Sequence, residues 1–265
     1  MSQNDRAIHL RKLHKKGDPL IFCNVYDGRT ARIVLEHKGR QSKALATSSF
    51  AVAAVRGKDD EEIEPEMLVS AAQDIVSVID RVSATSLSAD PIPLSIDMLD
   101  GFGEKLEDIV SSLISVGVVG CNMEDEDAKT SQLMSIPDAA DRVRRVMAQA
   151  TALGVPDFVI NARTDVLGHG GTINDAIERG KAYMEAGAFS VFVWGGRGGR
   201  TVSRKEVQKL AESFDGFINA RLKTGPGYLT VKEMTDLGVR RISLGKELSD
   251  IAMDAYQRAI EKILT

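Results

Sequence analysis

A repeated pattern constrains this chain more than any single motif. A short apolar run rich in β-branched residues is followed by a longer amphipathic segment, and the pair recurs eight times. The strand candidates are Leu20 to Val25, Ala44 to Ser48, Pro93 to Met98, Val118 to Met123, Phe158 to Ala162, Ser190 to Trp194, Phe217 to Ala220 and Arg241 to Leu244. Helical stretches lie between and after them at Thr30 to Lys38, Met67 to Ala84, Leu106 to Val116, Pro137 to Leu153, Ile173 to Ala186, Arg204 to Phe214, Val231 to Asp236 and Leu248 to Leu264. Units of this kind build parallel sheets, and eight of them in 265 residues is the arithmetic of an α/β fold of the (β/α)8 TIM barrel type. An open doubly wound sheet is the alternative. No Pro/Ser/Gly-rich linker divides the chain, so 1–265 reads as a single domain. Two segments exceed what a barrel needs, Ala51 to Glu66 and Glu124 to Ser135, and loops at the C-terminal face are where barrel enzymes keep lids and substrate contacts.

Charge and hydropathy narrow the partners. Lys+Arg of 34 against Asp+Glu of 38 leaves a net charge of -4, which offers no positive field to a phosphate backbone and excludes nucleic acid. No apolar run approaches the roughly 18 residues of a membrane span, and the polar start lacks the apolar core of a signal peptide. The chain is therefore expected to be cytoplasmic, with no membrane partner. Cys23 and Cys121 each sit in an apolar run and read as buried free thiols.

In a barrel, chemistry belongs at the C-terminal strand ends. These present Asn24, Tyr26 and Asp27, then Thr47, Ser48 and Ser49, then Asp97 and Asp100, then Glu124 and Asp125, then Arg163 and Asp165, then Trp194 and Arg221. Asp97 and Glu124 close adjacent strands, so their carboxylates converge. Two bare anions in a sheltered mouth are costly, whereas around a divalent cation they are stable. With oxygen ligands and no His or Cys alongside, Mg2+ is favoured over zinc, and Mn2+ is possible on the same grounds. Capping of the next helix or pairing with an Arg is the competing reading of either acid. Arg163 is a guanidinium fork suited to a substrate carboxylate or phosphoryl group, or else to a structural pair with Asp165 or Glu124. His9, His14, His37 and His169 assemble no triad, and GGRGGR lacks the phosphate-loop pattern.

The blocks NVYDGRTAR, ALATSSFAVAAVRG, PLSIDMLDGFG, VGCNMED, VINARTDVL, VFVWGG and GVRRISLGKEL, in this order and spacing, resemble the isocitrate lyase and phosphoenolpyruvate mutase superfamily over nearly the whole chain. The resemblance implies a barrel enzyme acting on small 2-oxo or 2-hydroxy carboxylates through a magnesium-stabilised enolate. It implies that Asp97 is the direct metal ligand, that Glu124 holds metal-bound water, and that Asp60 belongs to the outer metal shell. It also implies that Arg163 grips the substrate, with Ser48 and Ser49 supplying donors. Tyr26, Thr47, Trp194 and Arg221 complete the expected substrate pocket.

Two departures stand out. Leu99 occupies a position that is usually acidic, with Asp100 next to it as a substitute metal-shell residue. The lyase-type Lys-Lys-Cys-Gly-His motif is absent from EDEDAKTSQLMS, where Lys129 and Ser131 are the catalytic candidates on a lid. The leading expectation is a lyase or decarboxylase acting at a C–C bond. Phosphonate P–C mutase or hydrolase chemistry is the alternative, and a non-catalytic carboxylate-binding barrel is a third reading. The last helix spreads Ile251, Met253, Tyr256, Ile260, Ile263 and Leu264 over more than one stripe. With the resemblance, this predicts a homo-oligomer, a tetramer of paired dimers, whose C-terminal helix is exchanged between subunits.

Overall fold

The computed structural model describes residues 2–37, 42–85, 91–196, 198 and 200–264. Helix α1 (Gln3–Leu13) opens the chain. The repeat follows as β1 (Leu20–Phe22), α2 (Gly28–Leu35), β2 (Leu45–Ala46), α3 (Ser49–Ala54), α4 (Pro65–Thr85), β3 (Leu94–Asp97), α5 (Leu106–Ser115), β4 (Gly120–Glu124) and α6 (Ile136–Ala152). It continues through β5 (Val159–Thr164), α7 (Ile173–Glu185), β6 (Ser190–Val193), α8 (Arg204–Ser213), β7 (Ile218–Arg221), α9 (Val231–Asp236), β8 (Arg241–Ser243) and α10 (Glu247–Leu264).

The helices begin where their caps allow. Ser2, Asp27, Ser135, Thr172, Ser203 and Thr230 each accept a hydrogen bond from the backbone three residues on, satisfying an amide that the first turn leaves free. The Asp27 cap starts α2 two residues before the expected Thr30, and the expected end at Lys38 lies outside the described residues. Apolar faces then seat the helices on the sheet: α5 buries Leu106, Ile109, Val110, Leu113 and Ile114. The stretch from Ala51 to Glu66, expected as a loop, instead carries most of α3 and a short 3-10 turn at Asp60–Glu62.

All eight strands pair in parallel, in the order β1-β8-β7-β6-β5-β4-β3-β2. The ring closes just beyond β1 and β2, at a parallel bridge between Val25 and Thr47, where the Val25 amide donates to the Ala46 carbonyl at 2.9 Å. Closure excludes the open-sheet alternative. Asn24 supports it from the side chain: Nδ2 donates across the seam to the Thr47 carbonyl at 2.7 Å, while Oδ1 accepts from the amides of Leu244 and Gly245 after β8 at 3.0 and 2.8 Å. At the opposite end α1 lies across the barrel floor, with Gln3 donating to the carbonyls of Ile114 and Val118 and Arg11 to that of Asp157.

The barrel lumen is polar. Ser190 Oγ donates to Asn161 Oδ1 at 2.6 Å, and Asn161 Nδ2 donates to Asn122 Oδ1 at 2.8 Å. Arg241, 1% exposed, reaches across from β8 to give that same oxygen a second bond at 3.1 Å, with its guanidinium over the Phe22 ring. Bulky branched side chains usually fill this layer, so the network departs from the common pattern.

From Ile251 to Leu264 every residue of α10 is exposed, including Tyr256 at 66% and Ile263 at 78%. The helix therefore leaves its own barrel bare of these side chains. No helix among the described residues is long and apolar enough to cross a membrane.

Because three hydrogen bonds at the closing seam converge on Asn24, Asn24→Ala should lower unfolding free energy by about 2–4 kcal/mol. Urea titration followed by circular dichroism checks this, and a loss under about 0.5 kcal/mol would mean that the seam is held elsewhere.

Candidate active site

The strand ends open into a cavity of about 480 Å3. Asp97, at the tip of β3, receives both the amide and the hydroxyl of Ser49 on one oxygen at 3.1 Å, and its own amide donates to Thr47 Oγ1 at 2.9 Å. Burial pushes its carboxyl up, with the charge of Arg163 acting in the opposite sense. Asp60 hangs into the same cavity from the turn after α3; burial and the charge of Asp97 raise it to about 6, and its Oδ1 is buried without a partner. Glu124 stands one strand over, raised well above the usual carboxylate range chiefly by burial.

Register explains the cation among them. Glu124 of β4 faces Arg163 of β5 directly across the sheet, and Nη1 approaches Glu124 Oε2 to 2.6 Å. Nη2 lies 2.7 Å from Asp165 Oδ1, and the guanidinium stacks 4.1 Å from the Trp194 ring. Arg163 thus makes both structural pairs weighed from the sequence and still lines the cavity. Asp125, next to Glu124, is instead a buried structural hub that accepts from Thr164, Asp165, Arg179 and Tyr183.

The cavity also gathers Ser48, Ser49, Trp194 and Arg221, the last with Nε buried and unpartnered. Thr47 acts one step back, through Asp97. Tyr26 is buried and does not line the cavity. Three further expected positions lie apart from it. Asp100 accepts the Phe102 amide at 2.9 Å and pairs with Arg142 of α6 at 3.4 Å, so its carboxylate is turned away from the other acids. The residue that faces the cavity is Leu99, with φ 50. Lys129 and Ser131 are exposed on a turn organised by Asp127, whose Oδ1 accepts from the amides of Lys129 and Thr130; of that turn Ala128 reaches the cavity. Lys223 also lines it, while Asn122 and Lys246 line it without having been singled out from the sequence, although strand alternation already turns Asn122 to the side of Glu124.

Among the described residues no three His, Cys, Asp or Glu side chains are grouped to hold a metal directly. Asp97, Glu124 and Asp60 nevertheless share one cavity, all with raised carboxyls, and Asp60 Oδ1 has no partner. This donor set fits a hard cation bound by one carboxylate and, through retained water, by the others.

The family model described as phosphoenolpyruvate phosphomutase matches residues 10–264. The chain is 34% identical over 138 residues to the 2-methylisocitrate lyase of Escherichia coli (strain K12), covering 48% of this chain and 44% of that protein. It thus spans less than half the length of this curated relative. A candidate phosphonomutase of Burkholderia cenocepacia J2315 superimposes with a TM-score of 0.84 at 28% identity, covering 98% of this chain and 99% of the other. Oxaloacetate acetylhydrolase, at 23% identity and a TM-score of 0.81 over 97% of this chain and 86% of its own, shares the fold.

The Asp60 carboxyl has a testable consequence. A folded-state value near 6 lies above the unfolded one, so its contribution to stability is full below the unfolded value and is lost as pH rises through about 6. In chelator-treated protein, Asp60→Asn should therefore raise unfolding free energy at pH 8 by on the order of 2 kcal/mol and leave it unchanged below the unfolded value. Equal stability of the two proteins at pH 8 would show that Asp60 carries no such burden.

Proposed function

The chain belongs to the phosphoenolpyruvate phosphomutase family, and from that premise we propose that it is an enzyme that makes or breaks a bond at carbon 3 of a small 2-oxo or 2-hydroxy carboxylate through an enolate. The observation that carries this reading is the convergence of Asp97, Glu124 and Asp60 with Arg163 in one cavity. In this reading Asp97 ligates Mg2+, with Mn2+ as a substitute, and Glu124 and Asp60 hold its water. When bound, the cation supplies positive charge beside the substrate's 2-oxo group.

The chain's own groups do the rest. Arg163, charged and braced by Glu124 and Asp165, offers a fixed fork to the substrate carboxylate. Trp194 keeps that fork in plane. Ser48 faces the other side of the substrate, Ser49 does so while its amide and hydroxyl hold Asp97, and Arg221, with Nε free, takes a second anionic group on the substrate. Lys129 and Ser131 enter as parts of a cover that closes over the bound substrate.

We favour C–C cleavage or decarboxylation. Phosphonate P–C chemistry is the second reading, supported by the whole-length likeness to the candidate phosphonomutase. Incubation of protein and Mg2+ with oxaloacetate, phosphonopyruvate, methylisocitrate and alkylmalates, with 2-oxo acid release as readout, tests both. Release from a dicarboxylate is expected, and release from phosphonopyruvate alone would reverse the order. Asp97→Ala should abolish Mg2+-dependent oxalate binding with the fold intact. Oxalate binding by the wild type with no turnover of any compound would favour a binding barrel.

The exposed apolar side chains of α10 support assembly into a homo-oligomer of paired dimers that exchange this helix. Light scattering at micromolar concentration should give a multiple of 28.7 kDa, and a monomeric mass would overturn the assembly.

A further inference from the structure

Asn122 sits at the cavity floor, beside Asp97 across the β3–β4 pair and two residues before Glu124. Its carboxamide has only one chemically consistent orientation. Arg241 has no acceptor, so the Asn122 atom 3.1 Å from Arg241 Nη2 must be the oxygen. The same oxygen can only accept, so the Asn161 atom facing it must be Nδ2, which leaves the Asn161 oxygen to receive the Ser190 hydroxyl. Two donors on one oxygen leave the Asn122 NH2 group facing away from the lumen network, and that nitrogen makes no hydrogen bond with the described residues. The side chain that forces this arrangement is itself exceptional. Arg241 is 1% exposed, its Nε and Nη1 have no partners, and a buried guanidinium with two unmade bonds is expensive.

We propose that Asn122 is a catalytic residue that donates its carboxamide N–H to an oxygen of the bound carboxylate or enolate, and that Arg241 is the positioning residue that fixes its orientation. The assignment rests on the enolate reading given above. An amide suits the place because a neutral donor next to Asp97 stabilises negative charge on the ligand without adding a further acid. Fixed before the ligand arrives, it needs no reorganisation when charge develops. Arg241 acts from the lumen side, where it touches Asn122 and not the cavity.

The test uses the full-length protein, Mg2+ and oxalate, a planar dianion, with binding followed by calorimetry. Asn122→Ala should weaken oxalate roughly 10- to 100-fold while leaving Mg2+ affinity in the absence of oxalate unchanged. Asn122→Asp, which keeps the shape and gives Arg241 a charged partner, should weaken oxalate at least as much, because the donor has become an acceptor. Arg241→Met should reproduce the Asn122→Ala loss, and the double variant should be no worse than either single one. If Arg241→Met does not fold, Asn161→Ala takes its place in the same cycle, since Asn161 holds the same oxygen. Unchanged oxalate affinity in Asn122→Ala overturns the assignment of Asn122. Additive losses in the double variant overturn the positioning role. Failure of the wild type to bind oxalate with Mg2+ is a separate result that removes the enolate reading itself.

Discussion

A single buried guanidinium, Arg163, sits between Glu124 and Asp165, and the other groups at the barrel mouth are arranged by how far its charge reaches. Its charge pulls down the two carboxylates in contact with it, Glu124 and Asp165, but burial outweighs that pull and both remain raised. Asp97 and Asp60 lie beyond contact and rely on Ser49 and on their distance from Arg163, so burial dominates and raises both. Arg221, Lys223 and Lys246 line the mouth beside Arg163, so the raised carboxyls there come chiefly from burial and not from a missing positive charge. Buried carboxyls raised in this way mark the cavity as the candidate functional site.

Beneath the mouth, the lumen network keeps these groups in register. Aliphatic lumen layers specify a barrel by volume, whereas Ser190, Asn161, Asn122 and Arg241 specify it by direction, since each bond fixes which end of the next amide points where. Arg241 spans the barrel to do so, from β8 to the strand that also carries Glu124. Asn24 performs the equivalent task at the seam with three hydrogen bonds that settle both ends of its amide. The scaffold thus hands the site a rigid floor and a rigid wall, which a site built to recognise developing charge requires.

How much of this was legible in the sequence follows from where each signal is local. The eight strands and the amphipathic helices were readable because periodicity is a property of the segment itself. Helix α1 was not, because it buries only Ala7 and Leu10 and shows no apolar stripe. Helix α3 was hidden for the opposite reason, as AVAAV offers no polar face to set a period. Asp97, Glu124, Arg163, Ser48 and Ser49 were found because strand ends in a barrel converge whatever the loops do. Lys129 and Ser131 depended on a loop path that the Asp127 side chain determines through its own turn hydrogen bonds. Arg241 escaped notice because an arginine opening a strand reads as a surface charge, and only the closed ring shows that its neighbours are on the far side of the lumen.

The divergence at Leu99 and Asp100 shows how backbone conformation, rather than residue type, sets the charge of the mouth. Between β3 and α5 the chain takes positive φ at Leu99, Gly101, Phe102 and Gly103. Glycine adopts this without penalty, but at Leu99 and Phe102 it costs about 1 kcal/mol or more each. The strain is held by bonds at each step: Leu99 accepts the Glu124 amide at 2.8 Å, Met98 accepts that of Gly101 at 2.9 Å, and Asp100 is fixed through the Phe102 amide and Arg142. The left-handed residue turns one side chain into the cavity and the next out of it. With Leu99 inside, Asp100 leaves the mouth and finds its own arginine on α6. An acid at 99 in the same turn would instead point into the cavity with Asp97 and Glu124, adding a further carboxylate to be desolvated there. The turn therefore limits how much negative charge the site gathers, and the apolar side chain it presents narrows the cavity next to the metal-binding candidates.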